Sequence, residues 1–298
     1  MKYIIFILAL SLFSVSCGRE TDTVIQSQHK FFAAVASNDI ALSETKEGEW
    51  LYEHKEPGQT FEEYKKNSIV HPTDSANVIF IKPYGKFTEE EQRILTFTAD
   101  YLSVFFQLKV ELEKPVTDEV IPVHARRRRN DGTEQLLAPY FLDTLLKHNL
   151  PKTAVVAMAI TEKDLYPKND WNFIFGLASY QERVGVCSMQ RLHNGALDSS
   201  SFSLCLSRLI GISSHEIGHM FSLHHCTYAK CIMNGSNSLA ETDTQPNRLC
   251  SECLKKLYWN FRFDNKIRLQ TLLKYFYDHH LERDYLLAKA DCDAMAGY

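Results

Sequence analysis

His215, Glu216 and His219 stand in the order H-E-x-x-H. On a helix of 3.6 residues per turn, positions i and i+4 stack on one face. His215 and His219 can therefore each turn one imidazole nitrogen to a single ion, and Glu216, one position round, can reach a water bound to it. This is the requirement for zinc-assisted hydrolysis: two ligands, and a carboxylate that takes a proton from a water whose pKa the metal brings to about 7. The motif by itself is weak, because three fixed positions recur by chance on the order of once in a hundred chains of this length. A third ligand would strengthen it. His225 lies six residues past His219, too far to share its helix face, so the chain must turn away near Ser222 and bring His225 back. His224 is the rival for that place. The bland alternative for the whole set is a polar helix end or a degenerate structural remnant.

A second constellation follows directly. Cys226-x4-Cys231 and Cys250-x2-Cys253 form two short-spaced pairs separated by eighteen residues. Paired knuckles of this kind place four thiolates around one tetrahedral zinc. Two disulfides are the alternative, favoured by an oxidising compartment. Direct abutment of Cys226 on His225 favours a structural zinc just behind the first ion. Cys187, Cys205 and Cys292 have no partner at metal spacing and read as buried thiols.

The three histidines follow the metzincin arrangement, H-E-x-x-H-x-x-G-x-x-H with a later methionine. Ser222 stands where that pattern has glycine, so the turn must take serine into a left-handed conformation at roughly 1 kcal/mol or use another geometry. Three stretches taken together, HEIGHMFSLHHC, Cys231-Ile232-Met233 and Cys250-Ser251-Glu252-Cys253, resemble the archaemetzincins. The upstream run DLYPKNDWNFIFGLAS, Asp164 to Ser179, is similar to that family's segment ahead of the active site, and the resemblance covers Val78 to Tyr258. It implies a metallopeptidase with a metzincin-like catalytic domain, acting on a peptide or protein substrate. It also implies two zinc ions: a catalytic one on His215, His219 and His225 with Glu216 as general base, and a structural one on Cys226, Cys231, Cys250 and Cys253. Met233 would form the methionine turn, an apolar floor beneath the catalytic zinc. The rival function is a catalytically inactive, zinc-stabilised peptide-binding module; hydrolysis of another amide by the same machinery is a third.

These residues need elements to hold them. Val78-Ile79-Phe80-Ile81 reads as a buried strand, and Thr88 with Glu91 forms a capping box ahead of Ile94, Phe97, Tyr101, Val104 and Leu108 at helical spacing. Val110 and Leu112 alternate as a half-exposed strand. A helical stretch is expected over Leu136 to Leu146, with Pro139 in its first turn. Ala154 to Ile160 has the look of a central strand. Phe173 to Ala178 and Val184 to Met189 are further strands, the latter expected at the edge of the cleft, where an extended peptide could pair. Leu204 to Phe221 is a long helix carrying the histidines, and past Cys253 a helix shows Ile267, Leu272, Leu273 and Phe276 on one face. The fold class is α/β, layered, with a mixed and mainly parallel sheet, a long active-site helix and a four-cysteine zinc subdomain.

With 298 residues and 45% hydrophobic content the chain can bury a sizeable core. A net charge of -4 gives no reason to expect nucleic acid as a partner. The single basic run, Arg126 to Arg129, precedes an Asn-Asp-Gly turn signal and reads as a solvated loop. Residues 1–17 read as a signal peptide of the lipoprotein type, with lipidation expected at Cys17. Residues 18–75 read as a tether and N-terminal extension, and 76–298 as the catalytic domain, including the cysteine site (226–253) and C-terminal helices. The expected location is accordingly exported, periplasmic or membrane-anchored, with membrane contact only through a lipid at the N-terminus.

Overall fold

The computed structural model describes residues 28–296. Its frame is a five-stranded sheet in the order β2-β1-β5-β8-β7. β1 (Val78–Tyr84), β2 (Lys109–Leu112), β5 (Ala154–Thr161) and β8 (Val184–Ser188) are parallel, and β7 (Gly176–Ala178) runs antiparallel at one edge. All eight residues of β5 are buried, as a continuous apolar run in the middle of a sheet must be. Beside this sheet lies a smaller one, in which β4 (Glu134–Leu137) is flanked by β3 (Arg126–Arg128) and β6 (Asp164–Tyr166).

Two helices cover the larger core. α4 (Glu89–Phe106) starts at the Thr88 capping box, where Thr88 Oγ1 accepts from Glu91 N and Glu91 reaches back to Thr88 N. α6 (Ser199–Met220) packs against α4, β7 and β8. It starts five residues earlier than its apolar pattern implies, because Asp198 caps Ser200 N and Ser201 N while Ser201 Oγ accepts from Asp198 N. Those donors also hold the Asp198 carboxyl down to about 2. On the opposite side Ile121, Leu136, Phe141 and Leu142 form a second core with Val184 and Val186.

Several expectations change. The helix expected over Leu136–Leu146 begins only after β4 has ended: α5 (Ala138–Tyr140) takes Pro139 in its first turn and continues as a π-helical turn, Phe141–Leu146. Arg126 to Arg128 form a strand rather than a solvated loop. Arg126 pairs with Asp118 (3.0 Å) and Glu134 (3.1 Å), and the Arg127 guanidinium stacks 4.0 Å from the Tyr166 ring centre. Of Phe173–Ala178 only the last three residues are strand. Ile267 faces solvent; the buried face of α9 (Asn265–Asp278) is Leu269, Leu272 and Phe276.

The largest correction concerns the N-terminal segment. Over its described part it is no tether but is folded onto the domain. α1 (28–36) inserts Phe31 and Val35 into the main core, and α3 (Phe61–Asn67) buries Tyr64 completely. Between them, α2 (Trp50–Glu53) hydrogen bonds through Trp50 N to Glu241 (2.8 Å), at the end of chain that forms α7 (Leu239–Thr242). Asp39 binds Arg248 (3.0 Å) and the first residue of α8 (Ser251–Phe261). The segment's few apolar residues are too sparse to show a period, yet Phe31, Val35 and Tyr64 join the main core, whose other members lie far along the chain. α10 (Glu282–Ala296) completes the chain against α9. Residues 1–17, with Cys17, lie outside the described part. Among the described residues no helix is long and apolar enough to cross a membrane.

Candidate metal centre

α6 places His215 and His219 one turn apart on one face. His215 Nδ1 lies 2.8 Å from Ile232 O and His219 Nδ1 lies 2.6 Å from Leu223 O. A carbonyl oxygen only accepts, so both Nδ1 atoms carry the proton and both Nε2 atoms carry a lone pair. Those Nε2 atoms face each other at 2.9 Å. Two lone pairs so placed repel one another unless a cation lies against both. Burial, then the neighbouring His225, pushes the His215 imidazole down to about 3, and burial, then His215 and His225, holds His219 well below its ordinary value. Both rings are therefore neutral at pH 7, the form that binds metal.

The helix ends on the turn that the third histidine requires. Ser222 has φ 69, Leu223 N donates to Gly218 O (3.0 Å), and Ser222 N donates to His219 O (2.8 Å). This is a Schellman closure with serine in the left-handed place that glycine usually takes. The chain doubles back and His225 joins the cluster, its ring 5.2 Å from His215 and 4.9 Å from His219. One ring nitrogen from each of the three lies within 4.8 Å of the others. His224 is exposed, packs its ring against Tyr180 and stands outside the cluster. The donor set of three imidazoles with fixed tautomers fits a zinc ion.

Glu216 is buried beside the histidines and has no hydrogen-bonding or ionic partner among the described residues. Burial alone pushes its carboxyl up to about 8. Its side chain lies against the backbone of Gly176: a Cβ at that position would stand 2.7 Å from Glu216 Cδ. Met233 sits directly under α6, where a Cβ on Gly218 would come within 2.5 Å of its sulfur, and it is fully buried.

The four cysteines converge just behind. Their sulfurs lie within 4.8 Å of one another in a buried cluster, all are free thiols, and Cys226 Sγ stands 3.6 Å from Cys250 Sγ, far beyond the bond length of about 2.05 Å in a disulfide. Backbone N–H groups of Met233 and Cys250 donate to Cys231 Sγ. Asn234 pins the knuckle, giving Nδ2 to Cys226 O and Ala229 O and accepting from Cys231 N. Hydrogen bonds from Cys231, Cys250 and Cys253 hold Cys226 strongly toward thiolate. This donor set suits a tetrahedral zinc. Cys187 and Cys205 are buried thiols, each pushed up to about 12 by burial; Cys292 is only partly covered.

A cleft of about 650 Å³ opens over the histidines, walled by Phe175, Gly176, Ala178, Tyr180 and Trp50. β8 is not its edge: β8 is paired on both sides, and β7 is the edge strand. The short, glycine-bearing β7 shows no alternation, so sequence pattern favoured the more apolar Val184–Met189. Glu56 also escaped sequence reasoning, although its carboxylate lies 2.9 Å from His225 Nδ1. Its one signal is a cluster of Trp50, His54 and Glu56 too rich in functional groups for a tether.

Residues 143–258 match the profile of peptidase family M54. The chain is 30% identical over 263 residues to the archaemetzincin-2 of Rattus norvegicus, covering 78% of this chain and 73% of that protein. It is 31% identical over 183 residues to the archaemetzincin of Pyrococcus furiosus, covering 61% of this chain and 92% of that one. The crystal structure of an archaemetzincin from Methanopyrus kandleri superposes with a TM-score of 0.52 at 27% identity, covering 64% of this chain and 99% of that one. Likeness over that length, joined to a histidine cluster and a cysteine cluster suited to zinc, makes this chain a member of the archaemetzincins, the zinc metallopeptidases of family M54.

Proposed function

We propose that the chain hydrolyses peptide bonds in the cleft above α6, with His215, His219 and His225 as ligands of a catalytic zinc and Glu216 as general base. The observation that carries this reading is the convergence of the histidine nitrogens beside a buried carboxyl that no other group engages. A zinc ion in that place supplies a Lewis acid for the scissile carbonyl and lowers the pKa of the attacking water. Glu216 takes a proton from that water as its oxygen adds to the carbonyl carbon. As the carbon–nitrogen bond breaks, the same carboxyl gives the proton to the departing amine. An apolar surround raises the carboxyl's proton affinity toward that of the groups it serves.

β7 gives an extended peptide an edge along which to pair, next to Glu216 through Gly176. Cys226, Cys231, Cys250 and Cys253 hold a second, structural zinc, and Met233 floors the first. The polypeptide enters an exported compartment by its apolar leader, with Cys17 as the residue to which lipid would be joined; labelling with a radioactive fatty acid tests that step, and a Cys17→Ser chain should take up none.

The test uses protein expressed without Met1 to Ser16 and with Cys17 replaced. Two zinc ions per chain and cleavage within a mixed peptide set are expected, and Glu216→Ala should keep both metals and lose turnover. Undiminished turnover in Glu216→Ala would overturn the role of the base. Binding of peptides without any cleavage by the two-zinc protein would instead favour the inactive binding module.

A further inference from the structure

His215 and His219 are held by backbone carbonyls within seventeen residues of each, Ile232 O and Leu223 O. His225 differs. It lies past the helix on a returning loop, and its Nδ1 is met by a side chain from 169 positions away: Glu56 places Oε1 at 2.9 Å and Oε2 at 3.0 Å. Both oxygens of a carboxylate on one ring nitrogen leave Nδ1 as the donor and Nε2 as the free lone pair, turned toward the other two histidines.

The fold also fixes Glu56 itself. Gln59 Nε2 donates to Ser222 O (2.9 Å), tying the Glu56 segment to the left-handed turn that redirects the chain. Gly58, with φ 75, lies so close to Thr227 that a Cβ would collide with its hydroxyl. Trp50 packs edge-on against the His225 ring, 4.9 Å between centres. Three contacts thus press residues 50–59 against the loop bearing the third histidine.

We propose that Glu56 is a positioning residue for the metal site: its carboxylate accepts the Nδ1 proton of His225 and sets the tautomer and orientation of that ligand, so that the N-terminal extension completes the catalytic centre. This rests on the reading of the histidines as zinc ligands. A helical ligand pair is ordered by the helix, whereas a ligand on a loop needs an outside group to order it, and removal of such a group typically weakens metal binding about ten- to a hundredfold.

The experiment is competition for cobalt(II) and zinc against a chelator in the full chain, comparing wild type, Glu56→Ala and Glu56→Gln. With the cysteine site first filled with zinc, visible cobalt absorption reports the histidine site, and the ultraviolet thiolate-to-cobalt band reports any exchange of metal at the cysteines. Glu56→Ala should bind metal at the histidines about ten- to a hundredfold more weakly, with altered visible bands and an unchanged thiolate band. Glu56→Gln, whose amide oxygen can still accept from Nδ1, should recover a large part of the affinity. Equal affinity in Glu56→Ala and wild type would overturn the inference, as would a loss that Glu56→Gln does not reduce. A wild-type chain that takes up no cobalt on its histidines would overturn the reading of the site itself, and wild type alone reveals that outcome.

Discussion

Glu216 ties the chemistry to the stability of the site. In protein stripped of metal at the histidines, burial holds its carboxyl at about 8 against an ordinary 4.5. A raised folded value means stability is present below the unfolded value and is lost as pH rises through the folded one. His215 and His219 have the opposite sign, because their lowered values penalise folding below about 6.5. The window that isolates Glu216 therefore lies above 6.5. Stripped wild type should lose stability from pH 6.5 to 8, and stripped Glu216→Gln should stay level there, as read from denaturant midpoints. Ser222 offers a second test at this scale. Its positive φ suits glycine better than serine, so Ser222→Gly should raise stability by up to about 1 kcal/mol, less the extra freedom glycine gains when unfolded. An unchanged or lower midpoint would show that the turn carries no such strain.

β7 is three residues long, yet in the proposed mechanism it bears on both substrate and base. It forms the open edge of the sheet, and Gly176 leaves room for the Glu216 carboxyl against its backbone. A methyl group there must displace either the strand or the base, since the clash falls on the carboxyl carbon as well as its oxygen. Gly176→Ala should lower kcat for peptide cleavage at least about tenfold, the scale of a misplaced proton-transfer group. Zinc content should be unchanged, because no ligand touches the position. A variant with wild-type kcat would place Glu216 elsewhere during turnover.

Across the whole molecule, Arg248 joins three parts of the chain. It binds Asp291 of α10 (2.7 Å), Asp39 of the N-terminal segment (3.0 Å) and Val35 O (2.9 Å), while Asp39 also caps the start of α8 beside the cysteine knuckle. Arg248 and both carboxylates are about nine-tenths covered. Replacing one member of a buried ionic group leaves the others uncompensated, so Arg248→Met should destabilise by about 3 kcal/mol or more, measured by denaturant unfolding. The released segment should become the first point of proteolytic cleavage. A loss below about 1 kcal/mol would show that the network is no more than a surface ion pair.

The amino-acid sequence by itself determined the family, the candidate ligand residues and most of the frame. Local spacing is enough to put His215 and His219 on one helix face, to return the chain at Ser222, and to pair the cysteines. Continuous apolar runs likewise mark β1 and β5, because a strand buried on both faces leaves that trace. Tertiary structure decided the rest. Which strand became the cleft edge depended on pairing order, which periodicity does not contain. The arginine run became a strand only because Asp118, Glu134 and Tyr166 wait for it. The segment before residue 76 folded onto the domain because its scattered Phe31, Val35, Asp39 and Tyr64 each find partners far away in the chain. Glu56 belongs to the same class: a single carboxylate in a polar stretch has no pattern of its own, and only the fold brings it to His225.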